Sequence, residues 1–277
     1  MEQPTNPDNL GRPFVENVEG YFSEFVEFVG GKIIEKLENN LSDRPNADYI
    51  FENPDVIAEL KCFQKDVFSD SDDFPKLERL YEKWFANKSI SQTQFRKIVF
   101  QGGPLPEKCI ADLIEIASKT IERAIYKANK QIQESKSTFE KKNANGILFL
   151  INDGNYFFNT QGFITIISNV LARKFSNPSF DVCIYITINQ VTQKPGSDFD
   201  YTYWVPIYTR IDKNGETVQD ENLFNFVNSL GENLFGDFFT FKTGQVCVNR
   251  SEIENLENGW EEMKKHQFVP KEIVYKK

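Results

Sequence analysis

A glutamate and a lysine two residues apart inside an otherwise apolar run constrain this chain more than any other feature. The run is VIAELKCF, residues 56–63. The shorter apolar stretch DYIF, residues 48–51, precedes it, and Glu52, Asn53, Pro54 and Asp55 lie between the two. β-Branched and aromatic residues on either side of a Pro/Asn/Asp cluster predict a hairpin of two strands. Side chains alternate along a strand, so Glu59 and Lys61 share one face while Ala58, Leu60 and Cys62 share the other. Asp48 opens the neighbouring strand. Seating charges in so apolar a strand is costly unless they are paired or bound to a metal. The plainer alternative is a surface hairpin carrying an ordinary same-face ion pair. The same spacing recurs at Glu134/Lys136, Glu140/Lys142 and Glu262/Lys264. Those three pairs lie in polar stretches that read as helix, where residues two apart do not share a face.

Asp48, Glu59 and Lys61 in this arrangement resemble the PD-(D/E)XK, or restriction-endonuclease-like, nuclease superfamily. Its pattern is an acid at the start of a hairpin, then Glu or Asp, any residue, and Lys on the next strand. The resemblance implies that Asp48 and Glu59 are metal ligands and that Lys61 serves the nucleophile or the transition state. It also implies an accessory acid on the preceding helix, where GGKIIEKLENNL offers Glu35 or, less well, Glu38. The family's Pro before the Asp is Ala47 here, with Pro45 further upstream. The match covers roughly residues 13–190, and no family pattern is found in 191–277.

The remaining composition narrows the chemistry. The chain has 277 residues, 26 of them Phe, enough length and aromatic bulk for a packed core rather than disorder. Its one histidine, His266, lies in the polar segment EEMKKHQF and reads as solvated. Histidine-based nucleases, Ser-His-Asp hydrolases and His-rich metal sites are therefore excluded. An enzyme built from this sequence must work with carboxylates, lysine and a hard cation such as Mg²⁺, for which Mn²⁺ can substitute. Cys62, Cys109, Cys183 and Cys247 form no close pair and suit free thiols in a reducing compartment. No glycine-rich phosphate loop, N-terminal signal or membrane-length apolar run is present, so a soluble cytoplasmic protein is expected.

Along the chain, residues 1–12 are polar and expected to fray. Val15, Val18, Phe22, Phe25, Val29, Ile33, Leu37 and Leu41 recur every three or four residues, predicting an amphipathic helix with an irregularity at Gly30-Gly31. After the hairpin comes the acidic loop SDSDDF, then two short helices over 75–100, with Ser89 or Ser91 as N-cap of the second. A long helix over 106–142 opens at Pro106, with an apolar face of Ile110, Leu113, Ile114, Ala117, Ile121 and Ile125. Its second half is basic. In the resembled family this helix often faces substrate, and Lys127, Lys130 and Gln131 fit that role by position; a solvated polar face is the competing reading. GILFLIND and FDVCIYITIN read as buried strands, with a helix between them that Thr160 would cap. YTYWVPIYTR reads as a further strand, which Pro206 places at an edge or a bulge. A helix around Asn222–Leu230 follows.

The expected fold class is thus α/β, a restriction-endonuclease-like mixed sheet flanked by helices, with a helical insertion after the Glu-x-Lys strand. The expected organisation is a flexible N-terminus (1–12), a nuclease domain (13–215) with its insertion at about 65–105, and a C-terminal appendage (216–277) packed on the core. The expected function is Mg²⁺-dependent phosphodiester hydrolysis, most simply by a DNA endonuclease of a restriction or phage-defence system. A formal net charge of −9 and a pI near 4.9 argue for weak intrinsic DNA binding, because phosphate neutralisation dominates such affinity. Help from a homodimer mate or a partner protein is then expected. The alternative reading is a catalytically inactive subunit of the same fold in a defence or repair complex, and cleavage of RNA by the same centre is a third.

Overall fold

The apolar runs of the second half assemble into the middle of one sheet. The computed structural model describes residues 14–37, 46–64, 74–155, 159–193, 200–210, 218, 220–246 and 267–269. In chain order the elements begin with helix α1 (Val18–Phe28), strand β1 (Lys32–Ile33), the short helix α2 (Ile34–Leu37) and the hairpin strands β2 (Tyr49–Phe51) and β3 (Val56–Phe63). Helices α3 (Phe74–Ala86), α4 (Gln92–Gln101) and α5 (Glu107–Thr138) follow, then β4 (Asn145–Asn152), α6 (Thr160–Lys174) and β5 (Val182–Thr187). The rest comprises β6 (Val191–Gln193), β7 (Asp200–Tyr201), β8 (Trp204–Tyr208), α7 (Glu221–Asn233), a π-helical segment (Leu234–Phe238), α8 (Phe239–Thr243) and β9 (Gln267–Val269).

Six strands form a mixed sheet in the order β1-β2-β3-β4-β5-β8, and β7-β6-β9 form a separate small sheet. β1, β2 and β3 are antiparallel neighbours; β3, β4 and β5 are parallel; β8 closes the far edge antiparallel to β5. Parallel strands need crossovers, supplied here by α5 and α6. Strand alternation sorts the side chains into two cores. Tyr49, Phe51, Val56, Ala58, Leu60, Phe149 and Ile184 face α1 and α7. Ile50, Ile57, Leu148, Leu150, Cys183 and Tyr185 face α5 and α6. Covered on both sides, β4 and β5 can be apolar at every position, which is why they read as continuous runs. The chain is therefore α/β, with a mixed six-stranded sheet between helical layers. Among the described residues no helix is long and apolar enough to cross a membrane.

Several local expectations are revised. The single helix expected over 13–41 is instead α1, β1 and α2, because Gly30 adopts φ +83° and a Cβ on Gly31 would lie 2.5 Å from the Phe51 ring and 2.6 Å from Val26. The chain can turn there only through residues without side chains. Helix α6 is capped by Asn159, whose side chain accepts from Gly162 N–H, not by Thr160, which is its first residue and is buried. On α5, Ile110 and Ile114 are exposed, and the buried stripe runs instead through Ala117, Ile121, Ile125, Ala128, Gln131, Ile132 and Ser135. Ser91, not Ser89, caps α4. Pro206 sits in β8, at the sheet edge where a missing N–H does least harm. His266, Cys247, Glu38, Leu41 and the acidic segment 69–73 lie outside the described residues.

Helices α3 and α4 make a third core with the first half of α5, around Leu80, Trp84, Ile90 and Cys109. Trp84 donates its indole N–H to Asp112 at 2.8 Å, which ties α3 to α5. At the other end of the sheet, Gly146 N–H donates to the Asp181 carboxylate at 2.8 Å and Asp181 N–H returns a bond to Gly146 C=O. A Cβ on Gly146 would stand 2.3 Å from the Ser179 carbonyl oxygen. Backbone rather than a yielding side chain is in the way, so Gly146→Ala should lose about 2–3 kcal/mol of stability, read as a lowered urea midpoint at unchanged m-value.

Candidate active site

The hairpin register creates the site. β2 and β3 pair Tyr49 with Ala58 and Ile50 with Ile57, and the next step of that register brings Asp48 opposite Glu59. Glu59 and Lys61 alternate with core residues on β3 and project, like Ile57, toward α5. An Asp48 carboxylate oxygen accepts Leu60 N–H at 2.8 Å. The Lys61 ammonium contacts Glu59 Oε1 and donates to Gln131 Oε1 at 3.1 Å. Gln131 Nε2 in turn donates to the Asn46 carbonyl at 2.8 Å, and Ser135 Oγ accepts Ala47 N–H at 2.7 Å. The sequence-expected trio is thus brought together, and one of the three residues named on α5 joins it.

The electrostatics follow from burial. Glu59 is 0% exposed, and apart from the neighbouring Asp48 carboxyl its Oε2 has no hydrogen-bond partner among the described residues. Burial, and then the Asp48 charge beside it, push its pKa up to about 8, with Lys61 only partly offsetting them. Asp48 is raised as well, chiefly by burial, against the lowering effects of Leu60 N–H and Lys61. Two adjoining carboxyls, one buried and one half-buried, resist ionising together. A divalent cation between them would remove that resistance, and its preference for oxygen donors matches the two adjoining carboxyls. The residues present therefore fit Mg²⁺ or Mn²⁺. Among the described residues no group of three or more His, Cys, Asp or Glu is placed to hold a metal. Two protein carboxylates suffice for Mg²⁺, which keeps several waters and commonly takes substrate phosphate as a ligand.

The other named residues are placed differently. Glu35 is exposed on α2. The more distant carboxylate whose charge bears on Asp48 is Glu19, on the first turn of α1; the same charge acts on Tyr49 and Cys62. Lys127 and Lys130 are exposed, and Lys130 pairs with Glu134 at 3.5 Å. Gln131 is only 9% exposed, and both ends of its amide are engaged by the protein. Ser135, which no motif marked, touches the chain one residue before Asp48.

No family model, curated protein or solved structure matches the chain.

The raised Glu59 pKa has a measurable consequence. The folded state holds the proton more tightly than the unfolded chain, so the carboxyl costs nothing below its ordinary pKa of 4.5 and progressively destabilises the fold as pH rises toward about 8. Glu59→Gln removes that penalty. In EDTA, its unfolding free energy relative to wild type, read from urea melts, should rise between pH 5 and pH 8.5 by about 1–3 kcal/mol. Parallel curves across that range would show that Glu59 is not a desolvated acid.

Proposed function

We propose that the chain is a metal-dependent nuclease with a restriction-endonuclease-like core, acting on nucleic-acid phosphodiesters and most simply on DNA in a restriction or phage-defence setting. One observation carries the reading: the Asp48 carboxylate, from the residue preceding β2, lies against the buried Glu59 carboxyl of β3, with the Lys61 ammonium beside them. The order of elements also supports it. A helix, a hairpin bearing the acids, a helical insertion, a long helix, a parallel strand, a helix and another parallel strand follow one another as the resemblance implies.

Asp48 and Glu59 would hold Mg²⁺, which when bound polarises the scissile phosphate and lowers the pKa of an attacking water. Lys61 is the only cation in contact with this carboxylate pair among the described residues. Its role is to donate to the attacking water or to the phosphate oxygens as negative charge builds on them. Gln131 limits where that ammonium can go. Burial of Glu59 strengthens the field it exerts on its neighbours.

The net charge of −9 favours a second reading. An acidic protein has little intrinsic affinity for nucleic acid, so the same fold could serve as an inactive subunit whose acidic surface meets a basic partner. Exposed cations on α5, Lys127 and Lys130 among them, supply the local positive surface that the nuclease reading needs.

Two measurements separate these readings. Supercoiled plasmid, single-stranded DNA and RNA incubated with Mg²⁺, Mn²⁺ or EDTA should show metal-dependent cutting, reduced at least about 10³-fold in Glu59→Ala and Lys61→Ala. Calorimetry with Mn²⁺ alone should show one binding event in wild type and none in Glu59→Ala. Cutting that survives in Glu59→Ala defeats the site assignment. Stable folding with neither cutting nor Mn²⁺ uptake moves the conclusion to the inactive subunit.

A further inference from the structure

We propose that Gln131 and Ser135 are positioning residues that aim Asp48 and Lys61 from beneath the hairpin, and that Gln131 does not contact substrate. The proposal rests on the nuclease reading for its kinetic consequences, while its structural core stands apart from it.

Four residues apart, Gln131 and Ser135 lie on the same face of α5. They are 9% and 0% exposed, amid Ala128 and Ile132, where an unbonded polar group is costly. Both grip the segment immediately before Asp48. Ser135 Oγ accepts Ala47 N–H at 2.7 Å, and Gln131 Nε2 donates to Asn46 C=O at 2.8 Å. These residues precede β2, where the antiparallel ladder has not yet begun, so the sheet alone does not fix them. The outer side of the same segment is held by Ile34 N–H, which donates to Asp48 C=O at 2.9 Å. Asp48 then reaches Leu60 N–H. Gln131 uses its remaining atom, Oε1, to accept from Lys61 at 3.1 Å. One amide therefore couples the backbone leading to the first acid with the lysine on the next strand. A substrate-contacting amide would need to be reachable, whereas this one is buried and already bonds the protein at each end.

Leu60 N–H is the reporter, because its partner is the Asp48 carboxylate. In ¹⁵N-labelled protein, Ser135→Ala should speed Leu60 amide exchange at least tenfold while the Leu150 and Ile184 amides of the same sheet stay within twofold. Uniform acceleration across the sheet would reduce Ser135 to a structural residue and overturn the proposal, as would an unchanged Leu60. With nucleic acid, Ser135→Ala and Gln131→Met should lower kcat about 10- to 100-fold with KM within twofold, and Ser135→Thr, which keeps the hydroxyl, should restore most of the loss. A raised KM at intact kcat in Gln131→Met would return Gln131 to substrate contact and overturn its role. Should wild type neither cut nor bind Mn²⁺, the nuclease reading fails, and the Leu60 exchange still decides whether α5 positions Asp48.

Discussion

A carboxylate with no access to water organises the centre of this molecule. Glu59 sits in the third strand of a six-stranded sheet, covered by the long helix α5. An ionised side chain there must be compensated from within the protein. Lys61 supplies one compensation, the proton held with Asp48 another, and a bound dication would supply a third. Every neighbouring feature serves that compensation: the register that sets Asp48 opposite, the Leu60 N–H that accommodates its second oxygen, and the Gln131 amide that tethers the ammonium.

The sheet makes this arrangement affordable by keeping its two faces distinct. The face toward α1 and α7 is dense with aromatic rings, Phe22 against Phe149 and Tyr21 against Phe238 among them. It carries no part of the Asp48–Glu59–Lys61 cluster. The face toward α5 and α6 is equally apolar over β4 and β5 but turns polar at the hairpin end. α5 spans both regimes: its first half belongs to the α3/α4 core and its last third to the site. At 1.5 Å per residue its 32 residues extend about 48 Å, so one rigid rod links the inserted helices to the backbone preceding Asp48.

The hairpin and its charged trio were legible because strand alternation is local: residues two apart share a face wherever the strand lies. The parallel strands were legible from their unbroken apolar runs, and Pro206 marked its edge from the absence of an N–H. What failed shares one cause. The expected helix over 13–41 followed a periodicity that continues across Gly30-Gly31, yet the close approach of Phe51 and Val26 ends it. That approach is a contact between distant segments. Glu19, which no motif marked, bears on Asp48 because α1 packs beside the hairpin. Ile110 and Ile114 continue the stripe of α5 in sequence but emerge where no partner covers them.

By itself the sequence determined the hairpin, the central strands and most of the longer helices, and the placing of one acid and one lysine on a common strand face. These follow from backbone geometry and hydrophobic periodicity, which act over a few residues. The tertiary structure alone decided that Asp48 lies against Glu59, that Glu59 is buried with its pKa pushed upward, and that Gln131 and Ser135 grip the chain before Asp48. Those outcomes depend on strand register and on how α5 packs, and they join residues up to 88 positions apart. Desolvation, the force that gives the site its chemistry, exists only once those distant segments have closed over it.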